Sequence, residues 1–236
     1  VFNLYLARPL AAPLVLVFAR LGIPPNAVTL FSLIPMFLGA LIWVWCADPA
    51  GLWWGLLAME FAYILDCVDG QLARYTNQSS PLGAELDFLM DELKALMLVA
   101  AGAVRLYLGG ETDWALWGMG TMVVVASALA LTKFIRSPQY ASGTGQTVRT
   151  HGIQESRGKG PMGLMETAVK TLAHYPASLP LFLLVNEVFN PYGGLEVFLW
   201  AYGLVHLVYV AKVALTLVIK LGPKRGDGTG MGSDSL

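Results

Sequence analysis

Residues 66–91 read DCVDGQLARYTNQSSPLGAELDFLMD. Asp66 and Asp69 stand three positions apart and Asp87 and Asp91 four apart, so on helices each pair occupies a single face. Between them, 76–81 is short and polar, the composition of a connection between two antiparallel neighbours. Working outward, the helix carrying the first pair extends over about 52–75 and is apolar at its start. The helix carrying the second extends over about 82–108, opens with Glu85, Asp87, Asp91 and Glu92, and then reads as an apolar run. At about 1.5 Å of rise per residue both are long enough to cross a bilayer.

The rest of the chain agrees with that hairpin. Of 236 residues, 56% are hydrophobic and 13% charged, in long apolar blocks that fit a polytopic membrane protein and exclude an ordinary soluble globule. A net charge of -1 gives no support for a nucleic-acid surface. Two cysteines, Cys46 and Cys67, are too few for a disulfide framework and read as reduced packing residues. The start at Val1 has no cleavable signal-peptide pattern and leaves room for a missing upstream piece. Residues 5–21 carry Arg8, Arg20, Pro9 and Pro13, features of an amphipathic helix lying in the interface (segment 1–25) ahead of the Pro24-Pro25 turn.

A charge-free span follows over 26–47, capped by Asn26 or Thr29, and a turn at Asp48-Pro49-Ala50-Gly51 sends the chain back. With 52–75, 82–108, 114–134, 172–189 and 195–219 this makes six transmembrane helices within 26–219. The expected fold is therefore an all-α integral membrane protein, one membrane domain over 1–221 with a flexible tail at 222–236. The cations Arg8, Arg20, Arg74, Lys133, Arg136, Arg149, Arg157, Lys159, Lys170, Lys220, Lys224 and Arg225 then fall on one side, and the other side has only Arg105 nearby. The positive-inside rule makes the crowded side, with both termini, cytoplasmic. Trp43, Trp45, Trp53, Trp54, Trp114 and Trp117 are expected in an interfacial belt at the outer boundary. Ala100-Ala101-Gly102-Ala103 is a small-residue patch suited to close helix approach, within or between subunits.

Four carboxylates in one half-buried place repel one another and require protons, bound cations or both. Two divalent ions would offset them, and an oxygen-only donor set without histidine favours magnesium or manganese over zinc. Such a centre suits a diphosphate substrate, whose phosphorus it would polarise and whose departing phosphate it would stabilise. Gly70, Ala73 and Gly83 remove side-chain bulk where a nucleotide or diphosphate would approach, and Arg74 lies within reach of a phosphate oxygen.

The arrangement Asp66-x2-Asp69-Gly70-x2-Ala73-Arg74-x8-Gly83-x3-Asp87-x3-Asp91 resembles the full signature of the CDP-alcohol phosphotransferase family, eight fixed identities over 26 residues. The likeness extends in outline to the interfacial first helix, the Pro24-Pro25-Asn26 entrance and the six spans. It implies a membrane enzyme, usually a homodimer, in which the hydroxyl of one alcohol displaces CMP from another, CDP-linked alcohol. Residue by residue it implies Asp66, Asp69 and Asp87 as principal ligands of two divalent cations. Asp91 would contribute to that site and act as general base. The CDP moiety would meet Asp66, Asp69, Gly70, Ala73, Arg74, Gly83 and Asp87.

Lys133 and Arg136 are candidate contacts for the acceptor or its phosphate. In members with phosphorylated acceptors a tyrosine- and arginine-containing run follows the fourth span, and LTKFIRSPQYASGTG departs from it. The favoured chemistry joins CDP-diacylglycerol to a polar alcohol or alcohol phosphate. The alternative passes a headgroup from a CDP-linked amino alcohol to a lipid alcohol. A cation-coupled transporter is the alternative of another class, since intramembrane acids also line ion pathways, although the chain lacks the internal repeat common in transporters.

Overall fold

The computed structural model of the chain describes residues 7–144, 174–187 and 193–221, and every element within them is a helix. In chain order these are α1 (Arg8–Arg20), α2 (Pro25–Phe31), α3 (Leu33–Trp45), α4 (Pro49–Tyr75) and α5 (Pro81–Leu108), followed by α6 (Trp114–Arg136), α7 (Pro138–Thr144), α8 (Tyr175–Glu187) and α9 (Gly193–Leu221). Among the described residues, four stretches are long and apolar enough to cross a membrane: Pro25–Trp45, formed by α2 and α3, then Pro49–Tyr75, Trp114–Arg136 and Gly193–Leu221. The chain is an integral membrane protein. Helix α5 has 28 residues but stands apart from these four because it carries Glu85, Asp87, Asp91, Glu92, Lys94 and Arg105. Its second half is therefore not the uninterrupted apolar run expected over 82–108. Helix α8, with Pro180 inside, covers Tyr175–Glu187; the remaining positions of the expected span 172–189, other than His174, lie outside the described residues. The expected tail at 222–236 lies outside the described residues.

Local chemistry sets the ends of the acid-bearing hairpin. Extended Asp48 accepts a hydrogen bond from the Gly51 amide (2.8 Å) and Pro49 opens α4. Extended Ser80 does the same for the Gly83 amide (3.0 Å), with Pro81 opening α5. Between them Asn77 adopts a φ of 55°, a left-handed conformation that asparagine tolerates. At α2 the expected cap is absent. The helix starts from Pro24 without a side-chain cap, and the Thr29 hydroxyl donates to the Pro25 carbonyl (3.2 Å). Pro24 at the cap position has no side-chain acceptor, and the Ala27 amide donates to the Pro24 carbonyl instead (3.0 Å).

Helices α3, α4, α5, α6, α8 and α9 share one core that includes Met36, Trp43, Leu56, Met59, Leu98, Val125, Leu179 and Leu199. A smaller cluster joins α1 and α2 to α4 through Ala11, Val15, Val28, Leu65, Val68 and Leu72. The remaining face of α1 exposes Leu10, Leu16 and Val17, with Arg8 and Arg20 at the two ends. Helices α3 and α4 meet at glycine: a Cβ on Gly55 would stand 2.1 Å from Trp43 Cδ1, and one on Gly39 2.7 Å from the Gly55 carbonyl oxygen.

Trp43 is fully buried and its indole donates to the Leu52 carbonyl (2.9 Å), so it belongs to the core and not to an interfacial belt. Trp114 is likewise interior and its Nε1 points to Glu196 Oε1 (3.4 Å), whereas Trp45, Trp54 and Trp117 are exposed. Arg105, expected simply as a cation near the outer side, is 4% exposed. Its guanidinium donates to the carbonyls of Trp43 (3.2 Å), Cys46 (2.6 Å), Ala47 (3.1 Å) and Asp48 (2.7 Å), which ties the end of α3 to α5. The small-residue patch packs inside the chain: a Cβ on Gly102 would lie 3.1 Å from Leu199 Cδ1, and one on Gly118 2.4 Å from Ala103 Cβ. That packing is what lets α6 and α9 approach α5 closely.

Candidate active site

The paired spacing brings the acids together across the hairpin. Asp66 and Asp69 of α4 and Asp87 of α5 each offer a carboxylate oxygen, and these oxygens lie within 4.8 Å of one another. Asp69 is 4% exposed, and its Oδ2 has no hydrogen-bond partner among the described residues. An unpaired buried carboxylate oxygen beside two further carboxylates is costly unless a cation meets it. The donor set is oxygen only, which fits hard divalent ions such as magnesium or manganese. Asp66, Asp69 and Asp87 would hold them.

Asp91 stands apart from that group. Its side chain is 57% exposed and its Oδ1 lies 3.7 Å from the ammonium of Lys94. Lys94 is 1% exposed and its ammonium also forms an ion pair with Asp66 Oδ1. This lysine was not singled out from the sequence, although the signal was there. It follows Asp91 by three positions and Asp87 by seven, which places it on the acid face of α5, and an ammonium at that depth in a span needs a partner. Glu60 and Glu92 each have a buried Oε1 without a hydrogen-bond partner among the described residues, and neither joins the three-aspartate group.

The small residues divide into two kinds. A Cβ on Gly70 would meet only the tip of Arg74, 3.6 Å from Nη1 and 3.8 Å from Nη2, so the space in front of this turn is open. Arg74 is exposed and its guanidinium folds back beside Gly70, while Ala73 is half-buried. A Cβ on Gly83 would lie 3.0 Å from Asn26 Oδ1 and 3.1 Å from Ser80 Oγ. Gly83 therefore lets α2 pack against the first turn of α5, and brings Asn26, read from sequence only as a cap, to the acid-bearing end. Arg136, in the last turn of α6, sits over the Phe88 ring at 4.9 Å from its centre, beside Asp87 in sequence. Lys133 is exposed in the same turn.

The family described as CDP-alcohol phosphatidyltransferase matches residues 23–218. Cholinephosphotransferase 1 of Rattus norvegicus is 35% identical over 101 residues, covering 40% of this chain and 25% of the relative. Phosphatidylinositol phosphate synthase of Mycolicibacterium smegmatis is 32% identical over 145 residues, 58% of each chain. Archaetidylinositol phosphate synthase of Aeropyrum pernix is 26% identical over 165 residues, 69% of this chain and 75% of the relative. The chain thus spans a quarter of the rat relative and 58% of the mycobacterial one. Nothing in these likenesses supports a transporter. Since the match runs from the entrance of α2 through most of α9 and includes both acid-bearing helices, the chain belongs to the CDP-alcohol phosphatidyltransferase family.

Proposed function

We infer that this protein transfers a substituted phosphate group from a CDP-linked alcohol to the hydroxyl of a second alcohol, releasing CMP, in phospholipid synthesis. The observation that carries the reading is the convergence of Asp66, Asp69 and Asp87, within 4.8 Å, in a hairpin bearing all eight motif identities. The preferred donor is CDP-diacylglycerol and the preferred acceptor a polar alcohol or its phosphate. Two of the relatives are named for inositol phosphate products, and their matches cover more of both chains than that of the cholinephosphotransferase.

The residues divide the work by position. Two bound divalent cations, magnesium or manganese, would neutralise the diphosphate and the charge that develops on the departing CMP. Asp66, Asp69 and Asp87 would hold them, with Asp91 at the margin. The open turn at Gly70 and Ala73 admits the nucleotide, Gly83 shapes the floor near Asn26, and Arg74 faces a phosphate oxygen. Asp91 is the most accessible of the four carboxylates to an entering hydroxyl and takes its proton as the oxygen attacks the phosphorus distal to cytidine. Arg136 and Lys133 receive the acceptor's polar or phosphorylated end.

Topologically, α2–α3, α4, α5, α6, α8 and α9 supply six spans, with α1 in the interface and the acid-bearing end and both termini cytoplasmic. The host is a prokaryotic cytoplasmic membrane. Charge asymmetry supports the orientation: single cysteines at positions 150 and 111 should react with an impermeant reagent from opposite sides. A homodimer, implied by the family resemblance, would use a face other than the Ala100–Ala103 patch.

The decisive experiment reconstitutes the chain in vesicles and follows CMP and lipid product by mass, with CDP-diacylglycerol plus inositol phosphate, glycerol phosphate or serine in one arm and CDP-choline plus diacylglycerol in the other. Product in the first arm supports the preferred chemistry, and product only in the second selects headgroup transfer. Metal-independent CMP release, or none with any donor, overturns the reading.

A further inference from the structure

Lys94 has no role in the reaction as described above, yet it occupies a central place in the charge arrangement. Its ammonium is buried, paired to Asp66 Oδ1, and 3.7 Å from Asp91 Oδ1. Asp66 is therefore shared: it pairs with Lys94 and also offers an oxygen within 4.8 Å of those of Asp69 and Asp87. A buried lysine between two carboxylates usually reads as a structural ion pair, but Asp91 is more than half exposed and Asp69 Oδ2 has no hydrogen-bond partner among the described residues. A pair evolved only for packing would be expected to consume the acids around it. One ammonium thus stands beside two of the four carboxylates, Asp66 and Asp91.

We propose that Lys94 is a built-in counter-cation of the acid cluster, which balances Asp66 in the ion-free protein and gives it up to an entering divalent ion, keeping Asp91 as its own partner. The proposal rests on the reading of Asp66, Asp69 and Asp87 as a metal centre. The exchange needs little movement, because Asp91 is already within 4 Å of the ammonium. Two consequences follow from Coulomb's law in a partly buried site. Lys94 repels the ion, so the protein gives up some affinity for metal in return for a stable ion-free state. Lys94 also holds Asp91 toward the site, which makes it a positioning residue for the carboxylate that receives the acceptor's proton. The sign of the first effect is distinctive. A lysine that merely supported the architecture would weaken metal binding when removed, whereas a competing cation would strengthen it.

The test uses the full chain in detergent or nanodiscs, without substrate, and manganese as the probe. Free manganese is read by electron paramagnetic resonance during titration, and unfolding temperature is measured in chelator and in saturating manganese. Lys94→Met should bind manganese at least about tenfold more tightly than wild type, because a like charge a few ångströms away has been removed. Its unfolding temperature in chelator should fall, and the increment that manganese adds should exceed that of wild type. Lys94→Arg, which keeps the charge, should stay within about threefold of wild-type affinity. If Lys94→Met does not survive chelator, Lys94→Gln prepared in manganese serves instead, and its bound ion should leave more slowly than that of wild type on dilution into chelator. Equal or weaker manganese binding in the neutral variants overturns the proposal while leaving the metal centre intact. A wild-type protein that binds no manganese, or an Asp69→Asn protein that binds it equally well, overturns the metal centre and the proposal together.

Discussion

Helix α5 buries two cations, Lys94 and Arg105, separated by about 16 Å of helix. Arg105 donates to the backbone carbonyls of Trp43, Cys46, Ala47 and Asp48, at the fixed end of another helix. These acceptors carry no net charge, stay with the fold and cannot leave with a ligand. Lys94 faces the carboxylates of Asp66 and Asp91, which carry charge and can exchange one cation for another. Packing differs in the same sense. Around Arg105 the helices touch so closely that Gly55 has no room for a methyl group against Trp43, while at the acid end a methyl group on Gly70 would meet only the tip of Arg74. One end of the hairpin is built to be finished, and the other to be completed by something that binds.

The comparison breaks most decisively at the acids. Asp69→Asn should fold and insert yet lose on the order of a thousandfold or more in CMP-forming rate, equivalent to about 4 kcal/mol of transition-state stabilisation. Chelation of the wild type should have a similar effect, reversed by magnesium or manganese, with CMP release as the readout. Near-normal turnover in inserted Asp69→Asn protein would make the acid end as structural as the other.

At the finished end the expectation is reversed. Arg105→Met leaves four carbonyls to find other partners, and should cost about 3 kcal/mol of stability, within the range for buried charge-assisted hydrogen bonds. Turnover per folded molecule should change little, and unfolding in denaturant with activity normalised to folded protein separates the two. Gly55→Ala should act similarly through overpacking, by about 1–3 kcal/mol. A large loss of turnover in fully folded Arg105→Met would erase the distinction between the two ends.

Gly70→Ala sharpens the contrast at smaller scale. The new methyl meets only the flexible end of Arg74, so stability should stay within about 0.5 kcal/mol of wild type. Donor KM should rise by about tenfold, if the open turn is where the nucleotide approaches, corresponding to about 1.4 kcal/mol. Gly83→Ala, pressed against Asn26, should instead lower stability as well. Unchanged donor KM in Gly70→Ala would remove that turn from the nucleotide's path. Smallest of all, Arg136→Gln should raise acceptor KM by about threefold and leave donor KM alone, as expected for one exposed charge on a polar ligand.

Much of this is legible in the sequence alone. The helical period places Asp66 with Asp69 and Asp87 with Asp91, Ser80-Pro81 and Asp48-Pro49 announce helix starts, and apolar blocks mark the membrane, all because helix geometry and caps depend on neighbours within a turn or two. The same locality is why eight motif residues sufficed to recognise the family. What the chain could not disclose by itself was which end of each polar side chain would be answered, and by what. Lys94 finds Asp66 across 28 positions and Arg105 finds Trp43 across 62. Trp43 and Trp114 read as boundary residues by composition, yet are core because Gly55 and the α5–α6–α9 packing close over them. The Ala100–Ala103 patch, open from sequence to a role within or between subunits, is consumed inside the chain by Gly118 and Leu199. Each of these outcomes depends on the docking of distant helices, because burial and electrostatic pairing are properties of the assembled bundle and not of a local stretch of sequence.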